Sequence, residues 1–335
     1  MRYVIVGAGA VGGTIGGRLA QHGREVLLVA RGAHAAAMRE RGLRLATPDG
    51  VYELPIPVAD DVARLQLRSD DVLVLAVKTQ DTIGVLDALA GSDVVGGTAG
   101  SALPIVCAQN AVENERMAAR RFRRVYAMCV MLPATHLTPG TVAAEGTPLS
   151  GMLDLGRYPG GIDATAEQIC ADLAASRFRA EPRADIMRWK YTKLLRNLGN
   201  ALDATVGDAA GDITDQVRAE GRAVLDAAGI DYASFAEDDA RRGSDVQVRP
   251  VEGRSRQGGS SWQSLARGAG SIEADYLNGE IVLLGRLHGV ATPANEALAQ
   301  WANRMVSERR QPGTVSADEI RATIKQLSLS APSVT

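Results

Sequence analysis

Residues 3–12 read Tyr-Val-Ile-Val-Gly-Ala-Gly-Ala-Val-Gly, an apolar run that leads into three glycines with Gly-x-Gly-x-x-Gly spacing. Apolar residues then recur at helical spacing over residues 9–23, and a second apolar run occupies residues 26–30. A strand, a glycine turn, a helix and another strand form the context in which this spacing binds a dinucleotide. We therefore predict a nucleotide site here, rather than a glycine-rich turn without a ligand.

Five of the six residues in this glycine turn, residues 7–12, have an expected role. Gly7 permits the tight turn, Gly9 lets the backbone approach a pyrophosphate, and Gly12 lets the helix pack closely on the strand. Ala10 and Val11 begin the helix, whose unpaired N–H groups point towards the phosphates. We expect all five residues to bind the cofactor.

The end of the second strand indicates which dinucleotide is bound. An NAD site usually places Asp or Glu about 20 residues after the glycines, where the carboxylate binds the ribose 2′-hydroxyl. This chain has Arg31 there, 19 residues after Gly12. A guanidinium would bind a 2′-phosphate through its charge and its paired N–H donors. The sequence therefore favours NADP, and a solvated loop cation is the alternative interpretation of Arg31.

The first half of the chain alternates strands and helices. Apolar runs without polar alternation are typical of parallel strands that are covered on both faces. The predicted elements are strands at residues 72–77 and 104–107, helices at residues 33–41, 82–89 and 163–175, and a region of strands and turns at residues 125–156. This alternation predicts an α/β Rossmann-type domain with a doubly wound sheet over residues 1–180.

The pattern changes after residue 180, where long helical periodicity takes over. Helices are predicted at residues 186–208, 212–228, 271–288 and 293–308. We expect an all-α domain over residues 181–312, with a loop rich in Arg, Gly and Ser at residues 241–259. Residues 313–335 form a C-terminal tail with room for a short helix.

Composition excludes several classes of protein. The 335 residues carry 37 Lys and Arg against 39 Asp and Glu, and this balance gives no electrostatic footprint for nucleic acid or an anionic membrane. No apolar window is long enough to span a bilayer. The odd and widely spaced cysteines are typical of reduced core residues in a cytoplasmic protein. None of the four histidines has metal-ligand spacing to another ligand, so no metal site is expected.

Only four of the 37 basic residues are lysine. A lysine kept in such a chain is a candidate proton donor, because arginine does not deprotonate. Lys193, Asn197 and Asn200 share one face of the predicted helix. A stripe of amides suits a polar cleft wall better than a solvated face, which is the alternative. Lys78 follows a buried strand, where ligands gather, and Lys190 lacks the Lys-x-x-x-Asn spacing and is expected to contribute far less to turnover.

Together, these pieces resemble the ketopantoate reductase (2-dehydropantoate 2-reductase) family over roughly residues 1–310. The family's motifs are matched, in order, by Gly7–Gly12, by Lys78 to Gln80 in a shortened form, by Gln109-Asn110 with Glu115, by Lys193 to Asn197, and by Ser261 followed twelve residues later by Glu273. Each motif is short, but their order and spacing together are specific.

The resemblance implies NADPH-dependent reduction of a small 2-oxo acid to the 2-hydroxy acid, with ketopantoate and pantothenate biosynthesis as the leading case. Lys193 would be the general acid, and Glu273 would hold Lys193 or a substrate hydroxyl. Substrate-binding residues would be Asn110, Asn197, Asn200 and Ser261. Asn110 would also lie near the nicotinamide, with Lys78 in the same cleft. The resemblance leaves a homodimer open.

Three positions depart from the family pattern and bear on the substrate. Ala111 replaces the glycine of Gln-Asn-Gly, and Ala201 stands where a second amide is usual, with Asn200 one place earlier. Leu265 stands where an Asp is usual. Two alternatives therefore stay open. One is another NADP-dependent hydroxy-acid or opine-type dehydrogenase, and the other is a non-catalytic NADP-binding regulator.

Overall fold

A computed structural model describes residues 1–136, 138–206, 210–268 and 270–330. The chain divides into two compact units. The first unit comprises Met1–Lys190 and Phe235–Arg256, and the second comprises Tyr191–Ser234 and the chain from Gln257 onward. Strands dominate the first unit and helices the second.

The regular elements are numbered in chain order. The strands are β1 (Arg2–Val6), β2 (Glu25–Val29), β3 (Leu43–Thr47), β4 (Gly50–Leu54), β5 (Val58–Ala59), β6 (Asp71–Leu75), β7 (Asp93–Val94), β8 (Gly97–Thr98), β9 (Pro104–Cys107), β10 (Arg124–Met131), β11 (Ala134–Thr135), β12 (Thr141–Ala144), β13 (Gly146–Pro148), β14 (Gly151–Arg157), β15 (Phe178–Arg179) and β16 (Val246–Val248). The helices are α1 (Ala10–Gln21), α2 (Gly32–Arg41), α3 (Thr82–Ala90), α4 (Ala99–Ala102), α5 (Asn114–Ala119), α6 (Ala164–Ala174), α7 (Ile186–Asn197), α8 (Asn200–Thr205), α9 (Gly211–Ala227), α10 (Phe235–Arg242), α11 (Ser260–Ala266), α12 (Asn278–His288), α13 (Pro293–Ser307) and α14 (Ala317–Ser330).

An eight-stranded sheet forms the centre of the first unit, in the order β15-β14-β10-β9-β6-β1-β2-β5. From β5 to β10 every neighbouring pair is parallel, whereas β10 and β14 pair antiparallel. β6 and β9 are buried at every residue, which explains why their sequences show no polar alternation. The parallel core confirms the predicted Rossmann-type sheet, and it brings the carboxyl ends of β1, β2, β6 and β9 to one edge.

Two further pairings in the first unit were not predicted. β3 and β4 form a hairpin within a four-stranded sheet of order β11-β12-β3-β4. Part of the predicted loop at residues 241–259 is a strand, because β16 pairs antiparallel with β13. Polar and glycine-rich composition hid this short strand, which is half-buried at Val246 and exposed at Gln247 and Val248.

The predicted helix over residues 186–208 is not continuous. α7 ends at Asn197 and α8 begins at Asn200. Gly199 lies at the break, and glycine weakens a helix because it loses more backbone freedom than other residues. The carbonyl of Leu198 accepts a 3.0 Å hydrogen bond from Nδ2 of Asn278, so a side chain satisfies the backbone where the helix is interrupted.

The predicted common face of Lys193 and Asn200 therefore spans two helices, not one. The predicted end of that helix, Asp208, lies outside the described residues. The predicted helix over residues 271–288 is also divided, because Glu273–Tyr276 forms a 3₁₀ turn before α12 begins. Leu277, with φ −106° and ψ −83°, separates the two.

The C-terminal tail contributes to the core of the second unit. α14 packs against α13, with Ile320 and Ile324 buried. The indole nitrogen of Trp301 donates a 3.0 Å hydrogen bond to Oγ1 of Thr323. None of the helices formed by the described residues is both long enough and apolar enough to cross a membrane.

Candidate functional site

The glycine turn joins β1 to α1, and two of its glycines leave no room for a side chain. Gly7 has φ +102°, and a Cβ there would lie 2.8 Å from the backbone nitrogen of Val77. A Cβ at Gly12 would collide with the carbonyl oxygen of Gly7. A Cβ at Gly9, by contrast, would meet nothing within 4 Å. The backbone at Gly9 therefore faces open space that a ligand can enter.

The N-terminus of α1 has the character of an anion site. Gly9 is the N-cap residue and makes no side-chain capping bond, and no acidic residue occupies the first turn, which begins with Ala10 and Val11. The N–H groups of Gly7 and Ala8 are already used, because both donate to the carbonyl of Val29 at 3.0 Å. The helix dipole thus lies beside the open space at Gly9, which suits a pyrophosphate.

A cavity of about 280 Å³ lies against this turn. Its lining includes Gly7, Gly9, Arg31, His34 and His136. Arg31 is exposed, and it stands at the N-cap position of α2, after the carboxyl end of β2. The cavity therefore combines open backbone, a helix N-terminus and a guanidinium, which suits the phosphates of a dinucleotide.

Two histidines of this cavity were not singled out by the sequence. The ring centroids of His34 and His136 are 4.1 Å apart. Nδ1 of His34 accepts a 2.8 Å hydrogen bond from the N–H of Gly140, so the proton lies on Nε2, which bonds the carbonyl of Ala8 at 2.7 Å. His34 therefore supports the glycine turn as a neutral ring, and burial lowers its pKa from the ordinary value.

Asn110 and Lys78 follow the carboxyl ends of β9 and β6, and both are half-buried. A buried hydrogen-bond network joins the two segments. Nε2 of Gln109 donates to the carbonyl of Val77 and to Oγ1 of Thr82, both at 2.8 Å. Nδ2 of Asn114 donates to the carbonyl of Asn110 at 2.8 Å. The turn at residues 109–111, here called the Asn110 turn, is thus fixed to the end of β6.

Ala111, one of the departures from the family pattern, has φ +65°. It is buried, with 5% of its surface exposed. The left-handed region favours glycine, because a Cβ there approaches the following carbonyl. The chain therefore places an alanine at a position whose backbone conformation favours glycine.

Lys190 is not a surface cation. Its Nζ forms an ion pair with Oε1 of Glu115 and lies 3.2 Å from the carbonyl oxygen of Gln109, to which it donates. Lys190 is 3% exposed and Glu115 is fully buried. Burial raises the pKa of Glu115, and the neighbouring ammonium opposes that rise. One buried pair thus ties the start of α7 to the Asn110 turn.

The remaining predicted residues lie in the second unit. Lys193 and Asn197 are half-buried on α7, and Glu273 is buried in the 3₁₀ turn. Ser261 is the second residue of α11, and 2% of it is exposed. Among the described residues, its Oγ has no hydrogen-bond partner.

Asn200 lies close to the segment that precedes Ser261. α8 packs against α11. A Cβ at Gly259, the N-cap residue of α11, would lie 3.5 Å from Oδ1 of Asn200. The structure therefore brings Asn200 near the start of the helix that carries Ser261.

Comparison with known proteins decides the family. The family model described as ketopantoate reductase PanE/ApbA matches residues 3–160, and the model of its C-terminal domain matches residues 185–305. The chain belongs to the ketopantoate reductase family. It is accordingly an oxidoreductase, and the family resemblance seen in the motifs is confirmed. Membership of this family also implies a nicotinamide cofactor.

Curated relatives are similar over nearly the whole chain. A 2-dehydropantoate 2-reductase of Halobacterium salinarum is 29% identical over 316 residues, which are 89% of this chain and 97% of that protein. One from Pyrococcus horikoshii is 26% identical over 312 residues, 90% of this chain and 96% of that protein.

Solved structures support the two-part fold. A PanE/ApbA family ketopantoate reductase from Ralstonia eutropha is 28% identical with a TM-score of 0.76, and the match covers 92% of this chain and 99% of that one. A D-mandelate dehydrogenase solved with NADH and anilino(oxo)acetate has a TM-score of 0.77 at 22% identity, with 92% and 99% coverage, and shows the fold alone.

Proposed function

We propose that this member of the ketopantoate reductase family uses NADPH to reduce ketopantoate, a 2-oxo acid, to pantoate. The observation that carries the cofactor assignment is Arg31 in the lining of the cavity beside the glycine turn. An NAD site would place a carboxylate at this position. The names of the curated relatives support ketopantoate as the substrate.

Gly7, Gly9, Ala10, Val11 and Gly12 would hold the pyrophosphate. Gly9 presents open backbone, and the residues after it begin the uncapped helix. NADPH, when bound, supplies a hydride to the 2-oxo carbon. The Rossmann-type sheet favours a nicotinamide near the carboxyl ends of β6 and β9, where Lys78 and Asn110 stand.

Lys193 would donate the proton that the developing alkoxide needs. A general acid must lie within hydrogen-bond reach of that oxygen, and its pKa must allow it to give up the proton near neutral pH. Lysine can give up its proton, whereas arginine stays protonated. Asn197, from the last turn of the same helix, would bind the substrate beside it.

Ser261 and Glu273 would recognise the polar groups of the acid. A buried hydroxyl without a partner costs about 1–3 kcal/mol, so a substrate oxygen that pairs with Oγ of Ser261 would recover that loss. The carboxylate of Glu273 can accept a hydrogen bond, and the 4-hydroxyl of ketopantoate is a donor. Asn200, next to the segment before Ser261, would complete this group.

The substrate assignment is tested by comparing ketopantoate with its 4-deoxy analogue at saturating NADPH. If Glu273 accepts the substrate hydroxyl, kcat/KM for ketopantoate should exceed that for the analogue by about tenfold or more. Glu273→Gln should reduce that ratio. Equal kcat/KM values in the wild type would mean that Glu273 serves Lys193 alone, would overturn the ketopantoate assignment, and would favour a related but different 2-oxo acid as the substrate.

A further inference from the structure

The ion pair between Lys190 and Glu115 has no part in the chemistry proposed above. Both side chains are removed from solvent, with side-chain exposures of 2% and 0%. Such a pair loses hydration on both ions, and apolar replacements of similar volume often leave a protein equally stable or more stable. Stability alone is therefore a weak reason for this pair to exist.

The pair is also incompletely satisfied. Oε1 of Glu115 receives Lys190, but Oε2 is buried and has no hydrogen-bond partner among the described residues. A buried carboxylate optimised for stability would have both oxygens paired. The ion pair instead places Lys190 against one particular neighbour, the carbonyl of Gln109.

That neighbour belongs to the Asn110 turn. Lys190 donates to the carbonyl of Gln109, the peptide group that leads directly into Asn110. Ala111, on the other side of Asn110, is held in the left-handed region, which an alanine does not adopt without restraint. The carbonyl of Asn110 itself accepts from Asn114. Hydrogen bonds thus restrain the carbonyls of two successive residues, Gln109 and Asn110, and the donor at Gln109 is the charged Lys190.

We propose that Lys190 and Glu115 are positioning residues: their ion pair fixes the carbonyl of Gln109, and through it orients Asn110 for the nicotinamide cofactor. This rests on the proposed function for the role of Asn110. Because Lys190 belongs to α7, which carries Lys193 one turn later, the pair also fixes the start of the helix that bears the proposed proton donor.

The decisive variant is the double replacement Lys190→Met with Glu115→Leu, which removes both charges together and leaves no buried ion unpaired. If the pair serves positioning, the melting temperature should stay near that of the wild type while kcat falls about 10- to 100-fold. The primary isotope effect with deuterated NADPH should rise, because hydride transfer becomes rate-limiting. A double variant with wild-type kcat and isotope effect would overturn the proposal.

A matched control separates positioning from loss of stability. Arg2→Met breaks an ion pair with the buried Asp71. These two residues lie at the amino ends of β1 and β6, whereas the Asn110 turn lies at the edge formed by the carboxyl ends of the strands. It should lower the melting temperature and leave the isotope effect unchanged. If Arg2→Met raised the isotope effect as much as the double variant, general destabilisation would explain both results and the proposal would fail.

A second variant and a second readout keep the test independent of folding and of the reaction. Glu115→Gln keeps a side-chain acceptor but removes the charge that holds Lys190. Hydrogen exchange of the backbone amides of residues 108–112 should become faster in this variant without any substrate. Unchanged exchange would contradict the proposal. A wild-type enzyme that reduces no 2-oxo acid would instead contradict the proposed function, because the exchange measurement requires no turnover.

Discussion

Arg31→Ala should lower the affinity for NADPH and leave the affinity for NADH unchanged. A hydrogen bond to a charged group contributes about 1.5–3 kcal/mol. Arg31 is exposed beside the cavity, so solvent screening places its contribution near the lower limit. We therefore expect the dissociation constant for NADPH to rise by about tenfold, since 1.4 kcal/mol corresponds to a factor of ten.

The assay is fluorescence titration of both cofactors at low and high salt. The NADPH preference of the wild type should weaken at high salt, because an exposed charge pair is screened. Arg39→Ala is the matched control: Arg39 lies on α2, the helix that Arg31 precedes, but it pairs with Asp60 on the surface. Equal wild-type affinities for the two cofactors, or equal losses of both in Arg31→Ala, would refute the role of Arg31.

Three other variants test separate parts of the account. Lys193→Ala should bind NADPH normally but lose about 10²–10⁴-fold in kcat. The control Lys325→Ala, on the exposed side of α14, should match the wild type. A wild-type kcat in Lys193→Ala would exclude Lys193 as the general acid. Because burial lowers the pKa of His34 from 6.5, its neutral ring contributes stability that is complete above that value. This stability is lost progressively, by at most about 1.4 kcal/mol per pH unit, as pH falls towards the folded-state pKa. Urea unfolding should therefore show a larger acid loss for the wild type than for His34→Gln, and equal losses would contradict this. Ala111→Gly should change the free energy of unfolding by less than about 0.5 kcal/mol, because relief of left-handed strain offsets the lost methyl group. The control Ala118→Gly, in α5, should lower the free energy of unfolding by about 1–2 kcal/mol. Equal losses in the two variants would show that Ala111 is unstrained.

The strands of the nucleotide-binding sheet could be predicted because each is an apolar run in a distinct context. β9 begins and ends where the sequence placed it, at Pro104 and Cys107. The glycine turn could also be predicted from the sequence. Its spacing follows from a steric requirement, because a side chain at Gly7 or Gly12 would collide with neighbouring atoms. Such signals are local, so the sequence alone carries them.

The interruptions of the helices could not be predicted, because distant residues satisfy them. The break after Asn197 is capped by Asn278, which is 80 positions from Leu198 in the sequence. Periodicity continues through Gly199 and gives no sign of the interruption. Residues 235–256 also join the first unit, and the loop composition of residues 241–259 gives no sign of which unit this segment joins.

The burial of Lys190 could not be predicted from the sequence either. Lys190 and Lys193 look alike on a helix, and only the partner Glu115, 75 positions away, shows that one of them is enclosed. His34 was missed for a similar reason. Its two hydrogen-bond partners, Ala8 and Gly140, come from separate segments, and the one local signal is its place three residues after Arg31.

The most direct test of the central claim is the loss of NADPH absorbance when the purified protein is mixed with ketopantoate. The account predicts that NADPH is consumed and that one pantoate forms for each NADPH oxidised. The account would be contradicted if NADPH binds but is consumed neither with ketopantoate nor with any other acid in a panel of 2-oxo acids.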